Sequence, residues 1–434
     1  TMSNVLINSN QNSALVATIL ESSNAIKNPF VYAEDNIIPP HSVQFISVPP
    51  VNPSQLVMNG TLDYDLPKNG LIRRIYVDAS FLKTTGVDGF PQSGFLFNFE
   101  SIELLSSGRR ICLLTTEGMA AIASSTPDYV RRSYERSFHM GNSTTLTAGD
   151  VSNSKVCFPI DMFFSEGDRY ALNTAFTEPL RIRIKLGNGN NANDGGASKP
   201  HSITQCNLQV EFRELPNNYT DALIEENYGD GMLTQLIKNF TYETPKSYTG
   251  TSTATERQKF TVDLKENGAV KSLYVMCYMP HDADVAVAKV RESDQFVPID
   301  NIKLTASGQT ILDVPAELLY RWGKTKDGYE RCYSTSTALA SAGGTLGSSL
   351  ENIIKIDFGI GGDNCSNVIS FRELSNPQLE ITLKPTTNAS PDLGQGHALT
   401  QHAGEICRCQ VVYEVQQLMT TQSSTGRINL SLSN

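Results

Sequence analysis

Apolar and polar positions alternate most clearly at Leu180-Arg-Ile-Arg-Ile-Lys-Leu186, where four apolar side chains take one face and three cations the other. A period of two marks a half-buried antiparallel strand. The same alternation runs through Ile75, Val77, Ala79 and Phe81, and again through Cys409, Val411, Tyr413 and Val415. Apolar stretches at 43–46, 97–104 and 156–164 predict further strands, the first bounded by Pro39-Pro40 and Pro49-Pro50. Helical spacing is confined to three places. Ser13 is placed to cap a short helix with Leu15, Val16, Ile19 and Leu20 on one stripe, ended by Asn28-Pro29. Residues 117–136 read as helical in part, broken at Pro127. After Asp230-Gly231, the positions Leu233, Leu236, Ile237 and Phe240 predict a third helix.

The strand pattern occurs twice. LDYDLPKNGLIRRIYVDASF (62–81) answers FTVDLKENGAVKSLYVMCYM (260–279), aligning Asp65 with Asp263, Asn69-Gly70 with Asn267-Gly268, and Tyr76 with Tyr274. Asn-Gly between two β-patterned runs predicts a tight hairpin in each copy. The matches continue in order: SIELLSSGRRI (101–111) with NIKLTASGQTI (301–311), SYERSF (133–138) with GYERCY (328–333), and CNLQVEF (206–212) with CRCQVVY (407–413). The spacing between partners barely changes along the chain, so one domain of about 170 residues is present twice.

Some eight short strands per copy, separated by turns, predict an all-β chain of two tandem antiparallel sandwiches with short helices in the connections. Eight strands in two sheets make a jelly roll, although strand spacing does not separate it from other sandwiches. The expected organisation is an N-terminal arm with its short helix (1–41), a first sandwich (42–216), a linker carrying a helix (217–245), a second sandwich (246–419) and a polar C-terminal tail (420–434).

Charge and composition narrow the function classes. The formal net charge is −10, with 17 basic and 20 acidic groups in residues 1–216 and 18 against 25 thereafter. Neither half supplies the cationic surface from which phosphate binding draws its affinity, which argues against nucleic acid as a partner. No apolar run approaches the ~18 residues needed to span a bilayer, and no leader pattern opens the chain, so a soluble product is expected. The eight cysteines lack the spacing of a zinc module and are expected as free thiols, with Cys157, Cys206 and Cys407 on core-facing strands.

Candidate chemistry is sparse. His41, His139, His201, His281, His397 and His402 are scattered without metal spacing, and no nucleophile elbow is present. GNGNNANDGG (187–196) lies between strands, not between a strand and a helix N-terminus, and is therefore no phosphate cradle. Asp65 and Asp263 recur, but beside turns, where Asp commonly bonds backbone. No catalytic, cofactor-binding or metal-ligating residue is assigned, no cofactor is expected, and the chain reads as a non-enzyme. Asn-x-Ser/Thr sites at Asn59, Asn142, Asn218, Asn239, Asn364, Asn388 and Asn429 follow from composition. The rival from another class is a tandem β-sandwich carbohydrate-binding or adhesion protein. It would need aromatic platforms, and the chain has one tryptophan, Trp322.

Two tandem sandwiches with FNFESIELLSSGRRICLLTTEGM (97–119) and VCFPIDMFFSEGDRYALNTAFTEPLRIRIKL (156–186) resemble the double jelly-roll major capsid proteins. That lineage includes adenovirus-type hexons, tailless membrane-containing phages, virophages and large DNA viruses. The first stretch resembles the family's strand–turn–strand segment followed by a helix. The second resembles its Pro-Phe-Phe segment, Ala-Leu turn and alternating strand. The chain departs from the pattern at Ser107-Gly108, where a glycine pair is expected, and at IDFGIGGDN (356–364), which replaces the Phe-Phe segment in the second copy. The resemblance implies a pseudo-hexagonal homotrimeric capsomer of an icosahedral DNA virus shell, located in the virion and made in the host cytoplasm. The partners it implies are the chain itself, neighbouring capsomers, minor capsid and penton proteins, and an internal lipid membrane reached by the arm. Spike or vertex proteins are the alternative within the structural class.

Overall fold

The computed structural model describes residues 42–83, 96, 98–126, 152–165, 172–174, 177–187, 202–214, 232–249, 257–278, 296, 299–316, 318–319, 352–358, 368–383, 406–422 and 425–432. The first sandwich is built from β1 (Ser42–Val48), β2 (Thr61–Asp65), β3 (Gly70–Lys83), β4 (Phe99–Ser106), β5 (Arg109–Thr115), helix α1 (Thr116–Ser125), β6 (Ser152–Pro159), the short β7 (Leu172–Asn173), β8 (Leu180–Leu186) and β9 (Ser202–Glu214). One sheet has the order β1-β9-β3-β6, with β7 added beside β3, and the other β2-β8-β4-β5. The chain thus passes back and forth between sheets, which is the jelly-roll winding.

The second sandwich repeats it with β10 (Met232–Tyr242), β11 (Lys246–Thr249), β12 (Lys259–Asp263), β13 (Ala269–Tyr278), β14 (Ile299–Ala306), β15 (Gln309–Pro315), β16 (Ile354–Asp357), β17 (Ile369–Ser370), β18 (Gln378–Leu383), β19 (Ile406–Gln422) and β20 (Ile428–Leu432). Its sheets run β10-β19-β13-β16 and β12-β18-β14-β15, and β11, β17 and β20 extend the first of them. The two sandwiches therefore have the same strand order, as the sequence repeat requires.

The repeated turns behave in two ways. Ser107-Gly108 and Ser307-Gly308 close equivalent hairpins, β4–β5 and β14–β15, with φ of 45° and 82° in the first and 52° and 73° in the second. Positive φ at both central positions is the type I′ geometry whose twist matches that of the flanking strands. Asn69-Gly70, by contrast, is not a hairpin. β2 pairs with β8 while β3 pairs with β9, β6 and β7, so the dipeptide sits where the chain crosses from one sheet to the other. Asn267-Gly268 marks the same crossing between β12 and β13. Asn69 takes the positive φ (66°), and Gly70 is needed because a Cβ there would drive into the Phe212 ring and the Arg213 carbonyl.

Three other expectations are corrected. The helix expected across Leu233, Leu236, Ile237 and Phe240 is strand β10, which pairs along its whole length with β19. Along β10 the polar Thr234, Gln235, Lys238, Asn239 and Thr241 interleave with the apolar residues without strict alternation, which leaves the apolar positions at helical spacing. Residues 428–432, expected in a tail, form β20 on β19. Cys157 lies between inward-pointing Val156 and Phe158 and faces away from the core. Helix α1 forms as expected, capped by Thr115, whose hydroxyl accepts from the Gly118 N–H.

Inside each sandwich the alternating positions meet. Tyr64, Ile75, Val77, Phe81, Phe99, Ile182, Ile184 and Leu208 are fully buried in the first, and Leu273, Val275, Ile302, Leu304, Leu379, Ile381 and Val415 in the second. Cys112, Cys206, Cys277 and Cys409 are buried thiols, and burial pushes Cys112 and Cys206 up to about 12, so these two are inert at neutral pH. The cations of the 180–186 run point outward, as expected, and form a ladder: Arg181 with Asp65 (2.7 Å), Arg183 with Asp63 (2.8 Å) and Lys185 with Glu100 (2.5 Å).

Candidate assembly interface

Among the described residues no cluster of His, Cys, Asp or Glu could hold a metal, and no helix is long and apolar enough to cross a membrane. The histidines, Trp322, the arm and the loops 188–200 and 384–405 lie outside the described residues. Asp65 and Asp263 are not turn ligands but occupy equivalent cross-strand positions, Asp65 on Arg181 and Asp263 accepting from Gln378 Nε2 at 2.9 Å. Asn239 is buried, donating to the Ile111 carbonyl (3.2 Å) and Gln417 Oε1 (3.0 Å), so it is closed to glycosylation in the folded chain.

What the structure does build is a contact surface, and one example lies within the chain. The outer face of the β10-β19-β13-β16 sheet is not solvated. It packs against β5 and α1 of the first sandwich, and Phe240, Tyr274, Met276 and Val412 join the first sandwich's apolar cluster. β5 is the last strand of its sheet, and an uncovered edge leaves a row of backbone groups unpaired. Here side chains from β10 meet that row. The Tyr242 hydroxyl donates to the Leu113 carbonyl (3.1 Å) and accepts from the Thr115 N–H (3.0 Å), and Asn239 takes the Ile111 carbonyl. Burial pushes the Tyr242 phenol well above its ordinary range. Gly118 of α1 gives the Tyr242 hydroxyl its room, since a Cβ there would collide with it. Tyr278 donates to Glu117 Oε1 (2.8 Å), and Arg109 donates to the Ile428 carbonyl (3.1 Å), so β20 also fastens the two sandwiches.

A buried carboxylate sits in this surface. Glu414 on β19 has Lys271 Nζ at 3.5 Å and Lys238 Nζ at 3.6 Å from Oε1. Its Oε2 accepts from Ser272 Oγ (3.1 Å) and Tyr274 OH (3.5 Å), and Ser125 at the end of α1 donates to that Tyr274 oxygen (3.5 Å). Burial alone would raise the carboxyl. The ammonium groups of Lys238, Lys271 and Lys355, with the Ser272 hydroxyl, outweigh it and hold Glu414 below its ordinary value.

The first sandwich carries the same arrangement on the outer face of its β1-β9-β3-β6 sheet. A bulge interrupts β3 at Arg73 and, at the equivalent place in the repeat, β13 at Lys271. Registered from these bulges, Arg74 pairs with Glu211 as Ser272 pairs with Glu414, and Tyr76 with Gln209 as Tyr274 with Val412. The closing strands are therefore displaced from the sequence match, and Cys206 corresponds to Cys409 instead of Cys407. Glu211, also buried, has Arg73 Nη1 at 3.3 Å and Arg213 Nη2 at 4.0 Å. Phe45 pairs with Glu211 as Phe240 pairs with Glu414. The difference lies in covering: Phe240 is 6% exposed and Phe45 69%.

The other half of the contact is duplicated in the same way. Ile111 and Ile311 are the bulged residues of β5 and β15 and occupy equivalent places in the two copies. Ile111 is 5% exposed under β10, whereas Ile311 is 46% exposed and Leu318, just beyond β15, is 49%. The sequence match already aligns Ile111 with Ile311, but the difference in covering was not readable, because exposure of an isolated apolar residue has no sequence signature.

Neither a protein-family model nor a curated protein sequence matches the chain. Solved structures do. PBCV-1 VP54, fitted into a reconstruction of the virophage Sputnik, superposes with a TM-score of 0.67 at 16% identity, covering 93% of this chain and 99% of that one. The Faustovirus major capsid protein gives 0.59 at 9% identity over 96% and 98%, and the mavirus major capsid protein 0.55 at 12% over 93% and 92%. At these identities the likeness is one of fold, and it spans both sandwiches: the chain has the double jelly-roll architecture of viral major capsid proteins.

Proposed function

We propose that the protein is the major capsid protein of an icosahedral DNA virus, assembled as a homotrimer whose six jelly rolls form a pseudo-hexagonal block. The observation that carries this reading is the end-to-end superposition on capsid proteins, in which neither chain has a sandwich that the other lacks. The duplicated fold supports it, since three copies of a two-unit chain offer six similar sides to a hexagonal lattice. A lattice of such blocks takes neighbouring capsomers and minor capsid and penton proteins as partners. Residues 1–41 are the candidate contact to an inner layer, lipid included. The virion is then the site of action, and the duplicated core needs no catalytic centre.

Negative-stain images of the purified protein test the reading. Class averages with a hexagonal outline and threefold symmetry are expected. Elongated single chains would overturn it and favour the adhesion alternative.

A further inference from the structure

We propose that Cys277 and Cys409 are a disulfide site, closed by a peroxide oxidant, that clamps β13 to β19 in the second sandwich. The proposal stands apart from the capsid reading, which survives whether or not the bond forms. The two cysteines are direct cross-strand partners. Both are buried thiols in this structure and both belong to the second sandwich's apolar cluster, so their side chains leave the sheet on the same face. Whether such a pair can join depends on which way the backbone groups point. The Val411 carbonyl accepts from the Glu243 N–H (3.0 Å), on the side of β19 away from β13. The Lys271 carbonyl accepts from the Phe358 N–H (2.9 Å), on the side of β13 away from β19. Backbone groups two residues apart in a strand point the same way, so those of Cys409 and Cys277 also turn away from each other. The two residues therefore form a non-hydrogen-bonded pair, in which Cα atoms are about 4.5 Å apart and side chains are at their closest. That lies within the separation of about 4.4–6.8 Å that a disulfide spans.

The first sandwich provides the internal comparison. Its equivalent pair is Ala79 with Cys206, so the repeat holds one thiol there and the second sandwich two. The Ile75 carbonyl accepts from the Ile160 N–H (2.8 Å) on the β6 side, which makes that pair non-hydrogen-bonded as well. Access for an oxidant comes from position. Cys277 is next to Tyr278, the last residue of β13, and Cys409 lies three residues from the start of β19 at Ile406. Ladder ends open locally at little cost, whereas the middle of a sheet opens only with the domain. Peroxide then supplies the chemistry. One sulfur, as thiolate, attacks a peroxide oxygen; the O–O bond breaks, water leaves and a sulfenic acid remains. The other sulfur attacks the sulfenic sulfur, the S–S bond forms, and the S–O bond breaks to release a second water. Two thiols and one hydrogen peroxide become one disulfide and two waters. Strands β14 to β18 lie between the two cysteines in sequence, so the bond closes a long loop, the case in which a crosslink most restricts the unfolded chain.

The test uses the full-length chain, reduced, treated with hydrogen peroxide, unfolded in iodoacetamide and mapped by protease digestion and mass spectrometry. The peptides holding Cys277 and Cys409 should be recovered joined, while Cys112 and Cys206 are recovered alkylated. The melting temperature should rise by about 5 °C on oxidation and return with dithiothreitol. Cys277→Ala takes the residue that the first sandwich has at this place, so it should melt close to the reduced parent and show no rise with peroxide. Cys277 and Cys409 recovered as separate alkylated thiols or as sulfinic acids, or joined to other cysteines, would overturn the proposal. So would a bond that forms without raising the melting temperature. Each of these results leaves the capsid reading standing, since that reading fails only on the shape and mass of the assembly.

Discussion

Glu211 and Glu414 sit at the same place in two copies of one fold, each beside a bulged basic residue and each buried, yet their surroundings have diverged. Around Glu414 are three lysines, Ser272, Tyr274 and, through Tyr274, the end of a helix from the other sandwich. Around Glu211 are Arg73 and Arg213, and beyond them the open face with Phe45. Duplication preserved the carboxylate and its counter-charge, and covering decided the rest. Where a second sandwich packs, the neighbours became apolar or hydrogen-bonded, and where none packs within the chain they stayed polar.

Substitution at paired positions can break this comparison, and the largest contrast is expected at the phenylalanines. Phe240→Ala should destabilise the chain by about 3 kcal/mol through lost burial and a cavity between the sandwiches. Phe45→Ala, at an exposed position, should cost no more than about 0.5 kcal/mol. Denaturant midpoints measure both, and equal losses would show that the two faces do not differ as described.

The carboxylate comes next. Glu414 has a folded-state pKa below its ordinary value, so its stabilisation is complete above the unfolded carboxyl pKa of about 4.3 and is lost as pH falls through the folded value. Glu414→Gln removes the charge that faces Lys238, Lys271 and Lys355 and should cost about 2–3 kcal/mol at pH 7. The lysines keep some contact with solvent, which puts the value at the low end. The gap between variant and parent should narrow as pH drops toward 3, followed by thermal melts at several pH values. A gap independent of pH would mean that Glu414 acts through shape and not charge.

The glycines at the sheet crossing sharpen the comparison inside the sandwiches. Gly70→Ala forces Phe212 and the Arg213 carbonyl apart and should cost about 1–3 kcal/mol. At Gly268 the nearest atom to an added Cβ is the end of the flexible Glu266 side chain, at 3.1 Å, so Gly268→Ala should cost less than about 1 kcal/mol. The smallest and most symmetric effect is expected at Gly108→Ala and Gly308→Ala. Both residues have positive φ and open space around them, and each should lose about 1 kcal/mol for the backbone conformation alone. Differential scanning calorimetry of the four variants gives the order.

Much of this architecture is legible in the chain. The Ser-Gly hairpins, the 180–186 ladder strand and the two-copy order follow from period-two patterning and turn chemistry, which are local. What is not legible depends on which faces end up covered. β10 reads as a helix because its apolar and polar residues do not alternate strictly, and pairing along its whole length with β19 overrides that local pattern. The closing strand aligns Cys206 with Cys407 as a string, since Cys-x-x-Gln-Val recurs there, whereas the bulges at Arg73 and Lys271 put Cys206 on Cys409. A shift by one full period of the strand keeps every side chain on its original face, so hydrophobic pattern alone could not detect it. The Asn-Gly pair marks a turn in both readings, but whether the strands beside it pair or part is a matter of topology.

The central claim is that the duplicated chain is the subunit of a trimeric capsomer, and the mass of the native assembly tests it most directly. Native mass spectrometry at micromolar concentration should show a species of three 47.5 kDa chains that persists on dilution, as a large obligate interface requires. A single 47.5 kDa species under those conditions would contradict the account.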